Sequence, residues 1–545
     1  MTRARIDLTR CGVKPVCESP ARQHNIDWHR MRKIAGFLTI LVCASACDRP
    51  APGFLPDFGQ IDLLIENGQV VDGTGSLPRL ADIVVVGDEI VFVGNSDFSA
   101  ADLRQRVIRR IDATGRVVTP GFIDLHAHGD PLETPYFENF LAMGVTTITL
   151  GQDGSSAEVE QLANWLQQVS KNGIGPNMLT FVGHGSLREL SGVRRTVEPD
   201  AQHLQGMRAM LANALDVSFG LSTGLEYEPG LYAQEDELKI LAELVGQKGR
   251  IIMSHMRSED DDQLDTSIQE LLAQGHYAPV HVSHLKSVHG KGKERAEEIL
   301  ALLSAARASG IKVTADVYPY MASYTGIGLL FPVWAKSDEQ FRQAVTGRHG
   351  ELREYLRNKV EQRGAPEATL LGTAPYTGKT LAEVALQMEM PFEDVLIDII
   401  GPSGADAAYF VMDDQLQSRL LADPYVSVSS DGSPTTFHPR AYGTFARIIE
   451  RYVEKEKMLT LPEAIRKMTS LAASILGITD RGVIAPGMKA DLLVFKPEQV
   501  HETASFADPM QLAVGFDLVI VNGKLARENG KMDGALHGRV LLPST

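Results

Sequence analysis

Cysteine, aromatic side chains and blocks of basic residues are all scarce in this chain of 545 residues. Its four cysteines all precede residue 48, so the rest of the chain can form neither a disulfide bond nor a thiolate metal site. No Lys/Arg-rich block occurs and the formal net charge is -16, which excludes nucleic-acid binding because that function needs a basic face. These features leave a globular protein of ordinary composition, long enough to bury a large core.

The chain also lacks a hydrophobic run long enough to span a bilayer as a helix. Residues 34–46 are uncharged and mostly apolar, follow the basic Met31-Arg-Lys33, and lead into Ala44-Ser-Ala-Cys47, where small residues suit a signal peptidase. A cysteine directly after them resembles the bacterial lipobox. Residues 31–47 are therefore predicted to be a lipoprotein-type signal peptide with Cys47 as the lipidation site. The alternatives are a plain signal peptide cut nearby and an uncleaved anchor.

The segments around this signal carry little pattern. Residues 1–30 form a polar extension of doubtful status, because Met31 is an alternative start, and residues 48–60 resemble a tether. We therefore expect an exported protein on the periplasmic side, which touches the membrane only through an N-terminal lipid anchor. The sequence does not indicate an oligomeric state.

Two β-rich pieces flank a long middle segment. Residues 61–118 contain short apolar runs with the hairpin-turn pair Asn67-Gly68, and residues 481–541 contain similar runs with a second pair, Asn522-Gly523. We expect these two pieces to form one small β-sandwich built from both ends of the chain.

The middle segment, residues 119–480, alternates short apolar runs such as Val280–Val282 with helical patterns such as Glu235–Val245. Alternation over this length predicts an α/β fold, most simply a (β/α)8 TIM-like barrel. Residues 331–423 fit the alternation poorly. We interpret them as an inserted lid over the mouth of the barrel, a position that shapes substrate choice.

Candidate metal ligands follow the predicted strands. The apolar run Phe122–Leu125 ends on His126 and His128, and side chains at i and i+2 of a strand point the same way. Imidazole is the commonest metal ligand, although two histidines at one strand end also occur by chance. Further candidates follow three later apolar runs: His255, His284 and Asp431. A barrel gathers the carboxyl ends of its strands at one rim, so these residues predict a divalent-metal site there.

Several ordered motifs resemble the N-acyl-D-amino-acid deacylase (D-aminoacylase) family of the amidohydrolase superfamily. They are Pro120–His128, Gly220–Tyr227, Ser254–Glu259, Ser283–Lys286, Asp316–Tyr320, Ser430–Gly432, His438–Arg440 and Arg481–Asp491. The resemblance covers roughly residues 61–541 and implies a metal-dependent hydrolase of N-acyl-D-amino acids or D-amino-acid-containing peptides. It also implies a catalytic acid/base that faces the metal, Asp431, and four zinc ligands: His126, His128, His255 and His284.

One position departs from the family pattern. Family members usually carry a cysteine in a Gly-Asn-Cys-Gly turn that binds or bridges zinc, whereas this chain has Gly151-Gln-Asp-Gly154. Asp153 is expected to replace the thiolate, because a carboxylate is also anionic and can bridge two ions. The alternative is a turn aspartate that caps the following helix. The cofactor is therefore expected to be zinc, as one or two divalent ions, with a harder donor set than sulfur provides.

Substrates of this family are small molecules with a free carboxylate, so basic or hydroxyl side chains are expected in the pocket. The candidates for substrate binding are Arg440, Tyr318, Lys286 and Arg257, each with a structural ion pair or core role as the alternative. Two other histidines, His184 and His438, are expected to support the site or the core without binding the metal.

Two other functions compete with this expectation. A sister amidohydrolase acting on cyclic amides or dipeptides, like dihydroorotase, hydantoinase or isoaspartyl dipeptidase, often uses a carboxylated lysine as the metal bridge. The only lysine near Asp153 is Lys171, which lies past a predicted helix. A catalytically dead scaffold would have lost its histidines, whereas all four and Asp431 are present here.

Overall fold

The structure is a computed structural model that describes residues 59–95, 105–157 and 159–544. The extension, the signal segment with Cys47 and most of the linker lie outside the described residues, so the statements about lipidation and export stay predictions. Within the described part of the chain, no helix is long and apolar enough to cross a membrane.

The N-terminal part of the described chain consists mainly of β-strands. It contains the strands β1 (Ile61–Val70), β2 (Arg79–Val86), β3 (Glu89–Gly94), β4 (Val107–Asp112) and β5 (Val117–Pro120). β1 lies at the centre, antiparallel to β2 and parallel to β4 and β5. Asn67, the first residue of the turn pair predicted from sequence, has φ +59°, but it lies at an irregularity within β1 and not at a hairpin end.

The barrel begins directly after β5. Its first strands are β6 (Phe122–Asp124), β7 (Val145–Leu150), β8 (Asn177–Thr180), β9 (Val182–Gly183), β10 (Gly220–Gly224), β11 (Ile251–His255), β12 (Val280–Val282) and β13 (Val313–Val317). β8 and β9 together form one strand position of the barrel, and Phe181 separates them. The N–H of Phe181 donates to the carbonyl of Leu150. All pairings are parallel, and most residues of these strands are buried, as expected for strands covered on both faces.

Helices separate these strands. They are α1 (Glu138–Ala142), α2 (Leu162–Asn172), α3 (His184–Leu190), α4 (Ala201–Ala214), α5 (Glu235–Gln247), α6 (Asp261–Gln274) and α7 (Gly292–Ala308). In α2 the buried residues are Leu162, Leu166 and Val169, spaced so that they share one face of the helix. Apolar stripes of this kind cover the outside of the barrel and form one large core with the strands.

A separate module follows β13. It contains the strands β14 (Ser323–Gly326), β15 (Thr369–Leu371) and β16 (Asp406–Tyr409) and the helices α8 (Asp338–Gly347), α9 (His349–Gln362), α10 (Leu381–Met388) and α11 (Phe392–Asp394). Its three strands are antiparallel and its apolar residues form their own core, which includes Phe331 and Leu356. We call residues 323–412 the inserted module.

These bounds correct the predicted lid, residues 331–423. The module starts earlier because Ser323–Gly326 pairs with Asp406–Tyr409, a long-range pairing that a local pattern cannot show. It ends earlier because the next helix, α12 (Asp414–Ala422), buries Leu416 and Leu420 in the main core against α7. α12 is therefore a barrel helix.

The last barrel strand, β17 (Val426–Val428), pairs with β13, and α13 (Arg440–Arg447), α14 (Leu461–Met468) and α15 (Ser470–Leu476) follow it. The barrel closes where the ends of β17 and β6 meet. Asp431 N–H donates to the carbonyl of His126 over 2.9 Å, and His128 N–H donates to the carbonyl of Gly432 over 2.8 Å. Closure therefore brings the first and last candidate ligands of the barrel side by side.

The chain ends on β18 (Leu492–Phe495), β19 (Phe516–Val521), β20 (Lys524–Glu528) and β21 (Lys531–Met532). β18 pairs antiparallel with β5, so strands from the two chain ends form one nine-stranded sheet. Two separate clusters of buried apolar residues line its strands.

Phe122 joins the barrel to this sheet. Its ring is fully buried, stacks on Phe445 at 5.7 Å and meets Phe516 of β19 edge-on at 5.8 Å. Phe122→Ala is expected to lower the free energy of unfolding by about 3–5 kcal/mol, because it removes a large buried ring and leaves a cavity. Chemical denaturation measures this loss. A variant as stable as the wild type would show that the two parts do not depend on this contact.

Candidate metal centre

The first group of candidate ligands lies at the seam where the barrel closes. His126 and His128 extend from β6, and their Nε2 atoms lie 3.2 Å apart. Both Nε2 atoms approach Asp153, at 3.3 and 3.4 Å, and His128 Nε2 lies 3.3 Å from Asp431 Oδ1. The predicted convergence of two histidines from one strand end is present in the structure.

The second group shares Asp153 with the first. His255 ends β11 and His284 follows β12, and His255 Nδ1 lies 2.9 Å from His284 Nε2. His284 Nε2 is 3.3 Å and His255 Nδ1 is 3.7 Å from Asp153 Oδ1. Asp153 therefore lies between two pairs of imidazoles.

The spacing of these donor atoms fits divalent cations. Two ligands bound at ~2.1 Å to one tetrahedral zinc ion lie about 3.4 Å apart, close to the distances measured between the paired imidazoles. Nitrogen and carboxylate oxygen are donors that zinc accepts. Two groups around Asp153 could each hold an ion: His126, His128, Asp153 and Asp431 on one side, and Asp153, His255 and His284 on the other. A third group, Glu226, His255 and Glu259, overlaps the second at His255.

Backbone geometry aims three of these side chains into the cluster. Asp153, His284 and Asp431 have φ values of +54°, +37° and +49°, in the left-handed region that few residues other than glycine adopt. Such conformations cost about 1–3 kcal/mol each and persist where surrounding contacts over-determine them. Here a hydrogen bond from His284 N–H to Asp316 Oδ1, at 2.9 Å, is one of those contacts.

A buried carboxylate also supports the seam. Asp124 Oδ1 accepts hydrogen bonds from the N–H groups of His126 and Ser430, so it ties the first strand to the segment that carries Asp431. Burial raises the pKa of Asp124 to about 7, although these hydrogen bonds act in the opposite direction.

The electrostatics of the protein favour positive charge at the cluster. Burial opposes charge on His128, but hydrogen bonds to Asp153 and Asp431 outweigh it and raise the pKa of His128 to about 9. Burial likewise opposes charge on His255, whereas the charge of Glu259 and a hydrogen bond to Asp153 raise its pKa to about 10. Imidazole binds a metal only when neutral, so binding of a cation releases protons and weakens as the pH falls.

Two carboxylates behind the second group have roles that sequence reasoning missed. Glu226 Oε2 lies 3.1 Å from His255 Nε2, and Glu259 Oε1 lies 3.1 Å from His284 Nδ1. A carboxylate behind an imidazole fixes its tautomer and orientation and makes it a better ligand. Both residues belong to sequence motifs that carry the family resemblance, and both lie just beyond the end of a strand. Their position after a strand end is the feature of the sequence from which a role at the cluster could have been predicted.

Asp431 is paired with Arg440. Arg440 Nη1 lies 2.8 Å from Asp431 Oδ2, and its Nη2 donates to the carbonyl of Tyr324 over 3.2 Å. Burial tends to raise the pKa of Asp431, but the charge of Arg440 and a hydrogen bond from His128 hold it well below its usual range. Asp431 is therefore ionised and oriented between an arginine and the candidate metal ligands.

A cavity beneath the inserted module, here called the inner cavity, adjoins the cluster. Its walls include Asp431 and three of the four predicted substrate-binding residues: Arg440, Lys286 and Tyr318. Lys286 Nζ donates to Glu259 over 2.6 Å, while Tyr318 is fully buried and its hydroxyl lies 3.8 Å from the sulfur of Met412.

Arg257 does not reach the cluster, which corrects its prediction as a substrate ligand. Its guanidinium binds Glu270 and the carbonyls of Leu231 and Ala233, and it lines a different surface depression. The chain leaves β11 after His255, so strand alternation no longer determines the direction in which Arg257 points. A structural ion pair, the alternative considered for this residue, is what the structure shows.

The two remaining histidines are buried supports. His184 Nε2 lies 2.7 Å from Glu237, which also binds Arg188, away from the candidate ligands. His438 Nε2 donates to the carbonyl of Ala322, and its Nδ1 accepts from Arg440 N–H at 3.0 Å. His438 thus helps to place Arg440 and is not one of the clustered ligands.

A second depression opens on the other side of the cluster. It has a volume of about 540 Å³ and its walls include His128, Asp153, Gly185, Glu189 and Pro229. We call it the outer groove, and no lysine or arginine lines it among the described residues. The inner cavity and the outer groove share Asp153 and Tyr227 as walls. The inner cavity is much the smaller, with a volume of about 30 Å³, and its walls carry arginine and lysine side chains together with several carboxylates.

Comparison with known proteins gives a consistent result. The sequence matches the amidohydrolase family over residues 109–526. The N-acyl-D-glutamate deacylase of Alcaligenes xylosoxydans xylosoxydans is 32% identical over 491 residues, which cover 85% of this chain and 93% of that protein. The family match spans the whole barrel together with β5, β18 and β19 of the sheet built from the chain ends.

Two solved structures share the fold. One is N-acyl-D-glutamate deacylase from Bordetella bronchiseptica, complexed with zinc and a phosphonate inhibitor that mimics the tetrahedral intermediate of the reaction. It is 30% identical, has a TM-score of 0.75, and the match covers 89% of this chain and 100% of that one. A D-aminoacylase studied for its binuclear metal centre is also 30% identical, with a TM-score of 0.73 and the same coverage of both chains.

Proposed function

Because this chain belongs to the amidohydrolase family, we propose that it is a metal-dependent hydrolase that cleaves the amide bond of N-acyl-D-amino acids, or of peptides with D-amino acids, to release a carboxylic acid and the D-amino acid. The observation that carries this proposal is the convergence of four imidazoles on Asp153, with Asp431 at the same rim of the barrel. Relatives that match 85–89% of this chain are named as deacylases or aminoacylases of N-acyl-D-amino acids, which are linear amides.

The donor set fits one or two zinc ions. His126, His128 and Asp431 would hold one ion and His255 and His284 the other, with Asp153 shared between them. When bound, zinc makes water a nucleophile near neutral pH and polarises a carbonyl group. Glu226 and Glu259 keep the two imidazoles of the second group turned towards the cluster.

Asp431 performs the proton transfers. Its carboxylate is ionised, lies 3.3 Å from His128 Nε2, and borders the inner cavity, so it can take the proton of the attacking water. The same group then delivers this proton to the departing amine, which leaves as the free amino acid.

Arg440 binds the substrate carboxylate. It is buried, borders the inner cavity, and its Nε has no hydrogen-bond partner among the described residues. A planar guanidinium suits a carboxylate, which accepts more than one N–H group at once. A carboxylate bound there shares the charge of Arg440 with Asp431 and so raises the pKa of Asp431 towards the range of a useful base.

The cations of the inner cavity orient the substrate. The carboxylate of the amino-acid half points towards the inner cavity, which has a volume of about 30 Å³, and meets its arginine and lysine side chains. The acyl half lies in the outer groove, which has room for a group larger than acetyl. The scissile amide then lies over the cluster where the two depressions meet.

The experiment that tests this function compares enantiomers. We expect the zinc-loaded protein to hydrolyse an N-acetyl-D-amino acid with a kcat/KM more than about 10²-fold above that for the L enantiomer, because a displaced carboxylate misaligns the amide. Removal of zinc with a chelator should abolish turnover, and added zinc should restore it. Equal rates on both enantiomers, or full activity without metal, would contradict the proposal.

A further inference from the structure

Another cavity lies at the opposite end of the barrel from the metal ligands. Its walls include the first residues of three neighbouring strands, Ile251 of β11, Val280 of β12 and Val313 of β13. The candidate ligands lie at or beyond the other ends of the strands, where barrel enzymes place their chemistry. This cavity, here called the floor cavity, therefore lies apart from the proposed active site.

The floor cavity has the size and the apolar walls of a small-molecule site. Its volume is about 640 Å³, within the range of about 300–1,000 Å³ that is typical of ligand pockets. Apolar side chains from the strand starts and from α15 form much of the wall, among them Phe219, Ile251, Leu471, Ile475 and Leu476. An apolar part of a ligand would be shielded from water against these side chains.

The charged side chains of this wall are all positive. Arg250, Arg307 and Lys312 line the floor cavity, and no aspartate or glutamate does so among the described residues. The formal net charge of the chain is -16, so three cations without an acid run against its overall balance. Charge complementarity therefore indicates an anionic ligand.

These cations have only weak partners in the part of the chain that the structure describes. Arg307 stacks on Tyr425, with its guanidinium carbon 4.3 Å from the ring centre, and its hydrogen bond to the carbonyl of Val313 is 3.4 Å long. Arg250 donates to backbone carbonyl groups over 3.4–3.5 Å. Neither arginine nor Lys312 forms an ion pair with a carboxylate of the described ranges. Stacking covers the face of the Arg307 guanidinium and leaves its edge, which carries the N–H donors, available.

We propose that the floor cavity is a second ligand site, which binds a monocarboxylate with an apolar tail, such as a medium-chain fatty acid. Arg307 binds the carboxylate through the edge of its guanidinium, by parallel N–H···O bonds, and Lys312 adds a second positive charge. The tail lies against α15 and the strand starts. The proposal is independent of the deacylase function, because the reaction uses none of these wall residues.

The test measures binding of octanoate and of its neutral analogue 1-octanol to the zinc-loaded full chain by isothermal titration calorimetry. The wild type should bind octanoate at least about tenfold more tightly than 1-octanol, because only the acid pairs with Arg307. Arg307→Met keeps an apolar side chain beside Tyr425 but removes the charge. It should weaken octanoate binding by about tenfold and leave 1-octanol binding within about threefold.

Ser474→Trp tests the apolar part of the site. Ser474 is an exposed residue of α15 at the cavity wall, so an indole there can fill the cavity without entering the core. This variant should lose binding of both compounds.

Arg348→Met is the matched control. Arg348 also stacks on an aromatic ring, Trp334, at 3.7 Å, but it belongs to the inserted module and does not line the floor cavity. Both compounds should bind this variant as they bind the wild type. All three variants should unfold thermally close to the wild-type temperature, because none of the changed side chains is fully buried.

Three results would each overturn the proposal. The first is a wild-type protein that binds octanoate no more tightly than 1-octanol. The second is octanoate binding that is unchanged in Arg307→Met or in Ser474→Trp, which would place the acid at the metal cluster or elsewhere. The third is tighter binding of octyl phosphate than of octanoate, which would make a phosphate the preferred anion. The deacylase function stands or falls separately, since no variant alters the cluster.

Discussion

Asp431→Asn is expected to lower kcat by about 10²–10⁴-fold, the range attributed to general acid–base catalysis. Asparagine has nearly the same shape but cannot accept the proton of the attacking water or return it to the amine. Arg440 also loses its charged partner, which lies 2.8 Å away in the native protein. The substrate should still bind, so the loss should appear in kcat more than in KM.

The zinc content of the Asp431→Asn variant must also be measured, because Asp431 is a candidate metal ligand as well as the proposed acid/base. This measurement separates loss of proton transfer from loss of metal. His126, His128 and Asp153 remain in the variant, and we expect zinc to be retained. Asp414→Asn makes the same chemical change at an aspartate that binds Arg451 away from the cluster, and it should keep wild-type turnover. A fully active Asp431→Asn protein, tested on several N-acyl-D-amino acids, would remove Asp431 from its catalytic role.

Asp153→Ala is expected to have a comparably large effect, through the metal. Asp153 is the residue that both candidate groups share, with oxygen atoms 3.3–3.7 Å from all four imidazoles. Mutation of a residue that only hydrogen-bonds to a metal ligand typically lowers metal affinity or activity by about 10–100-fold. Loss of Asp153, which contacts the imidazoles of both groups, should therefore lower kcat/KM by at least about 10²-fold. Zinc content per chain should fall in parallel.

Asp153→Cys is the informative companion variant. A thiolate is anionic like the carboxylate, but it is a softer donor. Members of the D-aminoacylase family, which the sequence motifs resemble, usually have a cysteine at this position. We expect the cysteine variant to retain zinc and to favour softer ions in competition experiments, relative to the wild type. Asp398→Ala removes an exposed carboxylate of the inserted module and serves as the control. An alanine variant with unchanged metal content and rate would show that Asp153 is a helix-capping or turn residue.

Local sequence pattern was sufficient to find the candidate ligands at the ends of strands. His126 and His128 follow a short apolar run at i, i+2 spacing, and His255 and His284 end or follow two adjacent parallel strands. In a barrel, residues at strand ends must meet at one rim, so their proximity follows from element order without knowledge of side-chain packing.

The same reasoning failed once the chain left the strands. Arg257, only two residues after His255, binds Glu270 and two carbonyl groups outside the cluster. Glu226 and Glu259, which lie in comparable loop positions, do approach the imidazoles. Loop residues have no fixed period, so their direction depends on the backbone path and on partners distant in sequence.

The sequence by itself determined the alternation of strands and helices, the small β unit divided between the chain ends, and the types of side chain available for a metal. Tertiary structure alone decided that Asp153 lies between two histidine pairs, that Asp431 faces Arg440, and that Arg440 reaches the inserted module at Tyr324. The physical reason is the sequence separation of the residues that interact. Periodicity and strand-end positions are set by neighbours along the chain, whereas these three contacts arise only when barrel closure and docking of the inserted module bring distant segments together.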